Sequence, residues 1–399
     1  MTAPARRTLL TINTGSSSLK TALYATQPAL APVAGIEFVR IGIADGNMRV
    51  TAADGATLAD TDIDVADHDA ALHAVFTWLD EQQMGAGIVA VGHRIVHGGS
   101  GYSDPQPVTP ELMRTLEALV PQVPNHLPQA IAALAFIARL KPGLQQVACF
   151  DTAFHRRMPR VAQMYALPRR YFDSGVLRYG FHGLSYEYIV DQLRRLDPVL
   201  AAGRVIIAHL GNGASMAAVN GGIGIDTTMG FTPTSGLVMG TRSGDVDPGL
   251  LLYLLENERM TTAALKRLLN HESGLLGVSG TTPDMRDLLA AEATDARAAE
   301  AVALFCYRAR QYVGAFAASL NGLDGLVFTG GIGEKAAPVR ERICRGLDFL
   351  GIAIDDAQNT ANAAVISTPA SRVAVRVIRT NEELTIARHT AAVVAAQSS

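Results

Sequence analysis

Two stretches in opposite halves of this chain share one layout. "TLLTINTGSSSLKTALYA", residues 8–25, and "VIIAHLGNGASMAAV", residues 205–219, each run from an apolar strand through a turn of Gly, Asn and Ser into a second apolar strand. A layout repeated in each half constrains the fold to a duplicated α/β domain, with the two turns facing a common cleft. Glycine lets a chain approach a ligand closely, and successive backbone N–H groups in such a turn converge on an anion, so phosphate is the expected occupant. An ordinary Gly- and Ser-rich hairpin has the same composition, and on the first stretch alone it is the favoured reading. A third glycine turn, "LVFTGGIGE" at 326–334, follows an apolar strand and precedes the helical "APVRERICRGLDFLG". The repeat places the domain boundary near residue 150.

A chain of 399 residues, 48% apolar and 18% charged, is long enough for two domains with a large core. Its net charge of −3 and lack of basic runs argue against nucleic acid and anionic membrane surfaces as partners. No apolar run reaches the length of a membrane span. Arg6-Arg7 before "TLLTI" resembles the start of a leader, but Asn13 and Gly15 cut the apolar run short. Cys149, Cys306 and Cys344 lie far apart without CxxC spacing, which implies neither a disulfide framework nor a zinc site. A reducing, cytoplasmic setting is expected.

Between the turns, "GIVAVGHRIVHGG" reads as a strand, and "ELMRTLEALVPQVPNHLPQAIAALAFIARL" as helix broken by its prolines. "QQVACFDTAF" reads as a buried strand ending at Asp151, "RYGFHGLSYEYIVDQLRRL" as a loop opening into a helix, and "EELTIARHTAAVVAA" as a terminal helix. No Walker-type GxxxxGK[ST] is present. Phosphoryl transfer needs positioning, cations on the transferring oxygens and a metal held by oxygen ligands. Arg94 and Arg242, each beside glycines, are the candidate cations, although a structural ion pair to Asp245, Asp247 or another acid would also explain such an arginine. Histidines recur at 93, 97, 126, 155, 182 and 209. His93 and His97 have i, i+4 spacing, but the neighbouring glycines and the missing HExxH glutamate argue against zinc; His126 and His182 are retained as candidates. Asp151 and Glu382 are the best-placed carboxylates, although local pattern alone favours reading Glu382 as a first-turn acid stabilised by the helix dipole.

The motifs "INTGSSSLK", "VGHRIVHGG", "FDTAFH", "YGFHG", "HLGNGAS", "DTTMGFTP", "MGTRSGDVDPG", "SGLLGVSG", "DMRDL", "TGGIGE" and "TNEEL" follow one another from residue 12 to 384. In this order they closely resemble the acetate and propionate kinase family, within the superfamily of actin, hexokinase and heat-shock chaperone ATPases. The resemblance implies two duplicated actin-like (ribonuclease H-like) α/β domains around an interdomain active-site cleft. Residues 1–150 with a C-terminal helix at 384–399 form one, and residues 151–383 form the other, which carries nucleotide-binding elements and a homodimer interface. The implied reaction is reversible, Mg2+-dependent transfer of the ATP γ-phosphoryl group to acetate, giving acetyl phosphate and ADP, with Mn2+ as the alternative metal. Propionate or another short-chain acid is the alternative acceptor. A superfamily ATPase that has lost catalysis is the reading from another class, and retention of both acyl-site arginines argues against it.

By the same resemblance, Arg94, Asp151, His182 and Arg242 are catalytic, and Asn13 and Glu382 are associated with the metal. Ser16 and Ser18 belong to the first phosphate hairpin. Arg94, Val96, His126, Phe181 and Pro233 bind the acyl substrate. Lys20, His209, Leu210, Gly211, Asn212, Gly213, Asp284, Met285, Arg286, Gly330, Gly331, Ile332 and Gly333 bind nucleotide. The chain departs from the family pattern at Asn125 beside the acyl pocket, at Leu184 and Tyr186, where Thr and His are usual, and at Lys335, where Asn is common.

Overall fold

The computed structural model describes residues 6–124 and 126–397. The chain forms two compact units, Met1–Ala153 with Asn381–Ser399, and Phe154–Thr380. Strands of the first unit are β1 (Thr8–Thr14), β2 (Ser18–Ala25), β3 (Ala31–Val39), β4 (Asn47–Ala52), β5 (Thr57–Asp62), β6 (Ile88–Ile95), β7 (Gln106–Pro107) and β8 (Gln145–Phe150). Those of the second are β9 (Arg204–Leu210), β10 (Ala214–Asn220), β11 (Ile223–Thr227), β12 (Gly325–Thr329) and β13 (Ala374–Val377).

Sheet order is β5-β4-β3-β2-β1-β6-β8-β7 in the first unit and β11-β10-β9-β12-β13 in the second. The segment β3-β2-β1-β6-β8 and the whole second sheet have one topology: a three-stranded antiparallel meander, then two strands added parallel to its first. The two hairpins recognised in the sequence are β1–β2 and β9–β10. They occupy equivalent places, which establishes the duplication. The first unit adds β4 and β5 at one edge and a short β7 at the other.

Every residue of β1 and of β12 is buried, as expected of strands covered on both faces. Val91 and Gly92, adjacent on β6, point to opposite sides of the sheet. Val91 joins the cluster made with helices His68–Glu81 and Leu127–Leu140, including Leu72, Phe136 and Ile137. The terminal helix Glu382–Gln397 lies against β1, β6 and β8. It comes so close that a Cβ on Gly92 would stand 2.1 Å from Thr390 Oγ1 and 2.7 Å from Ile386 Cγ2. In the second unit, helix Gly183–Leu196 sets Tyr186, Ile189, Val190 and Leu193 against Val205, Ile207, Ala217 and Val327. The long helix Ala296–Ser319 contacts β9, β10 and β11.

Helices Pro110–Leu119 and Leu127–Leu140 are the two pieces of the proline-interrupted segment; Thr109 caps the first by accepting from Leu112 N at 3.1 Å. One local expectation differs. "TGGIGE" is not an open turn but the short helix Gly330–Lys335, entered directly from β12. Gly330 makes the bend at φ 76°, and its N–H donates to Glu334 Oε1 at 3.1 Å. No helix of the described residues is long and apolar enough to cross a membrane.

Gly92→Ala should destabilise the first unit by about 1–3 kcal/mol through overpacking. Thr390→Ala in the same chain should recover part of that loss. Denaturant unfolding of the two single variants and the double variant checks this, and simple additivity would contradict the close approach.

Candidate active site

In the first unit β1, β6 and β8 run parallel, so their carboxyl ends share one edge of the sheet, where open α/β sheets bind ligands. Asn13 and Arg94 stand near the ends of β1 and β6, and Asp151 directly follows β8. Arg94 Nε donates to Asp151 Oδ1 and Oδ2 at 3.1 and 3.0 Å, Nη2 to Oδ2 at 2.5 Å, and Nη1 to Asn13 Oδ1 at 3.0 Å. Asn13 Nδ2 donates to Glu382 Oε2 at 3.1 Å and Glu383 Oε1 at 3.3 Å, on the first turn of the terminal helix. Glu382 Oε2 is 3.9 Å from Arg94 Nη1. Asp151 is fully buried and the Arg94 side chain is 17% exposed.

Burial pulls the Arg94 guanidinium towards its neutral form, but the charges of Asp151, Glu382 and Glu383 outweigh it, so its pKa lies above the usual arginine value. Burial, and then the charge of Glu382, push the Glu383 carboxyl up. Negative charge is therefore crowded at this spot. The adjacent Glu382 and Glu383 carboxylates form an all-oxygen donor set that fits a hard divalent cation such as Mg2+, which takes one or two carboxylates together with phosphate oxygens and water. Lys20 on β2 pairs with Glu37 at 3.3 Å and remains half exposed. Ser16 is exposed in the β1–β2 turn, and Ser18 opens β2 with its hydroxyl against Gly15.

In the second unit the β9–β10 turn is Gly211-Asn212-Gly213, closed by Gly211 N donating to Gly213 O at 3.1 Å. Here glycine is required by contact. A Cβ on Gly213 would stand 2.7 Å from Arg242 Nη2 and 3.3 Å from His182 Nε2. Asn212 Oδ1 fills the space above Gly240, where a Cβ would be only 1.7 Å away. Arg242 lies in the segment between β11 and helix Pro248–Glu256, which has no helix or strand of its own but is tied down repeatedly. Arg242 Nη1 donates to Pro233 O at 2.6 Å, Gly236 N to Asp245 Oδ1 at 2.8 Å, and Gly240 N to Asn212 O at 2.9 Å. Asp245 also accepts from the Tyr312 hydroxyl, and Asp247 accepts from Gly249 N at 3.1 Å to cap the following helix. The two acids considered from sequence as partners of Arg242 thus hold backbone and a tyrosine.

His182 has φ 60°, a left-handed conformation uncommon for a residue with a Cβ, and heads helix Gly183–Leu196. Its ring stacks on His209, centroids 4.4 Å apart. His182 Nδ1 is 2.9 Å from Ser215 Oγ, and Ser215 in turn bonds the Tyr186 hydroxyl. His209 Nδ1 is 2.8 Å from Ser185 Oγ, which reaches Thr380 Oγ1 at 2.8 Å.

A pocket of about 640 Å3 opens at the same turn. Gly211 and Asn212 line it together with Asp284, Met285, Arg286, Gly331 and Ile332, and so does Lys335. Arg286 Nη2 donates to Asp284 Oδ2 at 2.6 Å, and this hydrogen bond holds the aspartate below the usual carboxyl range. Leu210 is the buried last residue of β9; Gly330 and Gly333 belong to the helix Gly330–Lys335. The fully buried Arg340 anchors that helix, donating to Gly333 O at 2.9 Å and to Asn359 Oδ1 at 2.8 Å.

Val96 and Phe181 are buried, and His126 opens helix Leu127–Leu140. Asn125 lies outside the described residues. His93 is on a strand, which removes the zinc-helix geometry, and burial pushes its ring down to about 3. His155 is pushed down to about 4 by burial and donates from Nε2 to Phe181 O at 3.0 Å. Glu383, Ser215, Ser185, Glu334 and Arg340 were not singled out from sequence. The "EE" of "TNEEL" and the serine of "GNGAS" were signals for the first two; the others carried none.

The model of the Acetokinase family matches residues 8–388. The chain belongs to the acetokinase family. It is an enzyme, a phosphotransferase with a carboxyl group as acceptor. An acetate kinase of Methylocella silvestris is 46% identical over 402 residues, covering 97% of this chain and 98% of that one. The crystal structure of Porphyromonas gingivalis acetate kinase superposes with TM-score 0.85 at 38% identity, covering 97% of this chain and 100% of that chain. A propionate kinase from Francisella tularensis subsp. tularensis superposes with TM-score 0.89 at 35% identity, covering 96% and 99%. Acetokinase membership accounts for a second unit that carries a pocket of this size beside a glycine turn with an arginine and a histidine against it.

Gly213→Ala should displace Arg242 Nη2 and His182 from the turn and lower kcat on the order of 10²-fold, as small misplacements at a reacting centre do. Circular dichroism and the thermal midpoint should stay close to the parent. Unchanged kcat would show that the contact has no bearing on turnover.

Proposed function

We propose that this protein is an acetate kinase, transferring the γ-phosphoryl group of ATP reversibly and in line to acetate to give acetyl phosphate and ADP. The observation that carries the reading is the Gly211–Gly213 turn, in which Gly211 and Asn212 border the pocket while Arg242 and His182 close on Gly213. A nucleoside seated among Asp284, Met285, Arg286, Gly331 and Ile332 would place its phosphates at the backbone of Asn212 and Gly213. Arg242 and His182 then supply charge and a hydrogen bond to the transferring group. Arg94, held by Asp151 and Asn13, offers a prealigned guanidinium for the acyl carboxylate; Val96 and His126 in the same unit, and Phe181 and Pro233 in the other, are assigned to the acyl group by resemblance to the family.

Acetate is already ionised at neutral pH, so the reaction requires no strong base, and Asp151 acts by holding Arg94 and orienting the acceptor. Charge neutralisation is the main catalytic burden, so loss of Arg94 or Arg242 should cost on the order of several kcal/mol of transition-state stabilisation. Glu382, with Asn13 orienting it, would hold Mg2+, or Mn2+ in its place. When bound, the metal screens the phosphate oxygens as charge builds on them. Lys20, Ser16 and Ser18 complete the reading as a second phosphate contact. Propionate is the runner-up acceptor, favoured by the similarity to a propionate kinase; one methylene is worth roughly 1–3 kcal/mol in such discrimination. A cytoplasmic location is part of the reading, supported by three buried cysteines that form no disulfide among the described residues.

Hydroxylamine trapping of acyl phosphate with Mg-ATP and acetate, propionate or butyrate tests the proposal. The highest kcat/KM is expected with acetate, and chelation should abolish turnover. ATP hydrolysis independent of any acid would overturn the reading.

A homodimer is proposed as well. Helix Pro248–Glu256, "PGLLLYLLE", has no buried residue and exposes Leu250, Leu252 and Tyr253 at 47, 56 and 50%. A helix apolar on most sides is usually covered. Light scattering should give twice the chain mass of 42.2 kDa, and Leu252→Glu with Tyr253→Lys should shift it towards the monomer.

A further inference from the structure

Ser215 stands between two groups that compete for its single proton. Its Oγ lies 2.9 Å from His182 Nδ1 and bonds the Tyr186 hydroxyl, and Ser215 and Tyr186 are fully buried. Two circuits satisfy these contacts and also direct the Ser215 proton to one of the two groups, which a Ser215 accepting from both would not. Either Tyr186 donates to Ser215 and Ser215 donates to Nδ1, or Nδ1–H donates to Ser215 and Ser215 donates to Tyr186. A phenol is much more acidic than an aliphatic hydroxyl, hence the better donor and poorer acceptor, which favours the first circuit. That circuit gives Nδ1 an acceptor role and leaves the proton of a neutral ring on Nε2.

Nε2 is the nitrogen that faces the glycine turn, 3.3 Å from the place a Gly213 Cβ would occupy. The second circuit would aim a lone pair at the same spot. With Arg242 against that glycine and His209 stacked at 4.4 Å, the ring already has a cation and a second imidazole beside it. A neutral ring can donate to an oxyanion there in only one tautomer.

We propose that Tyr186 is a positioning residue which, through Ser215, holds His182 in the tautomer presenting Nε2–H to the Gly211–Gly213 turn. Tyr186 is one of the positions where this chain departs from the family motif, so the relay belongs to this chain's own residues. The inference deepens the phosphoryl-transfer reading and rests on it for its catalytic consequence, but the tautomer itself does not depend on activity.

The test is 15N NMR of the full chain labelled at histidine, with His182 assigned by loss of its signals in His182→Gln. The parent should show a protonated Nε2 and an unprotonated Nδ1 at pH 8. Tyr186→Phe, which removes only the hydroxyl, should convert this into a mixture of tautomers. It should lower kcat about tenfold, the worth of one neutral hydrogen bond, with KM for ATP almost unchanged. Ser215→Ala should do the same, and the double variant should be no worse than either single one. A protonated Nδ1 in the parent, or parent-like ring shifts in Tyr186→Phe, would overturn the proposal even if kcat fell. If the tautomer responds as expected while the parent forms no acyl phosphate with any acid, the relay stands and the kinase reading fails.

Discussion

The guanidinium of Arg94 holds the first unit's functional edge together. Removing such a group from water is costly, and the cost is tolerable only when its N–H groups find well-placed oxygen. Asp151 just after β8 and Asn13 on β1 provide that oxygen, and Glu382 on the terminal helix adds an ion pair at 3.9 Å, so one side chain on β6 ties four elements at one point. Residues 381–399 accordingly return to the unit in which the chain began. The close approach at Gly92 serves the same end, since a larger residue there would hold the terminal helix away from the sheet.

The second unit handles a buried cation differently. Arg340 is fully buried and surrounded by carbonyl and amide oxygens, and burial pulls its pKa down to about 10. Its work is mechanical: it fixes the short helix that forms one wall of the pocket. Arg242, by contrast, donates to the Pro233 carbonyl and lies in a loop whose glycines meet backbone. Two hairpins of common topology are thus dressed differently. The β1–β2 turn presents hydroxyls, while the β9–β10 turn sits under an arginine and a histidine.

Much of the fold was legible because it is written in local patterns. Apolar runs bounded by Gly, Asn and Ser predict strands and turns from steric freedom alone, and the similarity of two hairpins predicts a duplication. The helical start at Gly330 was not legible, because glycines next to a strand read as a turn until Glu334 is seen accepting from Gly330 N. Candidate residues carried by contiguous motifs, such as Arg94, Asp151, Asn212 and Arg242, could be named. Arg340 could not, because a lone arginine in a helical stretch looks like a solvated one.

By itself, then, the sequence determined the element types, the duplication, the family and the residue types offered at each glycine turn. These depend on composition and spacing within a few residues. Tertiary structure alone decided which groups meet: Gly213 with Arg242 and His182, Asn13 with Glu383, Tyr186 with His182 through Ser215. Partners distant in sequence are brought together by sheet order and helix packing. The direction of a hydrogen bond or the pairing of a buried charge is set by that environment, and no local pattern encodes it.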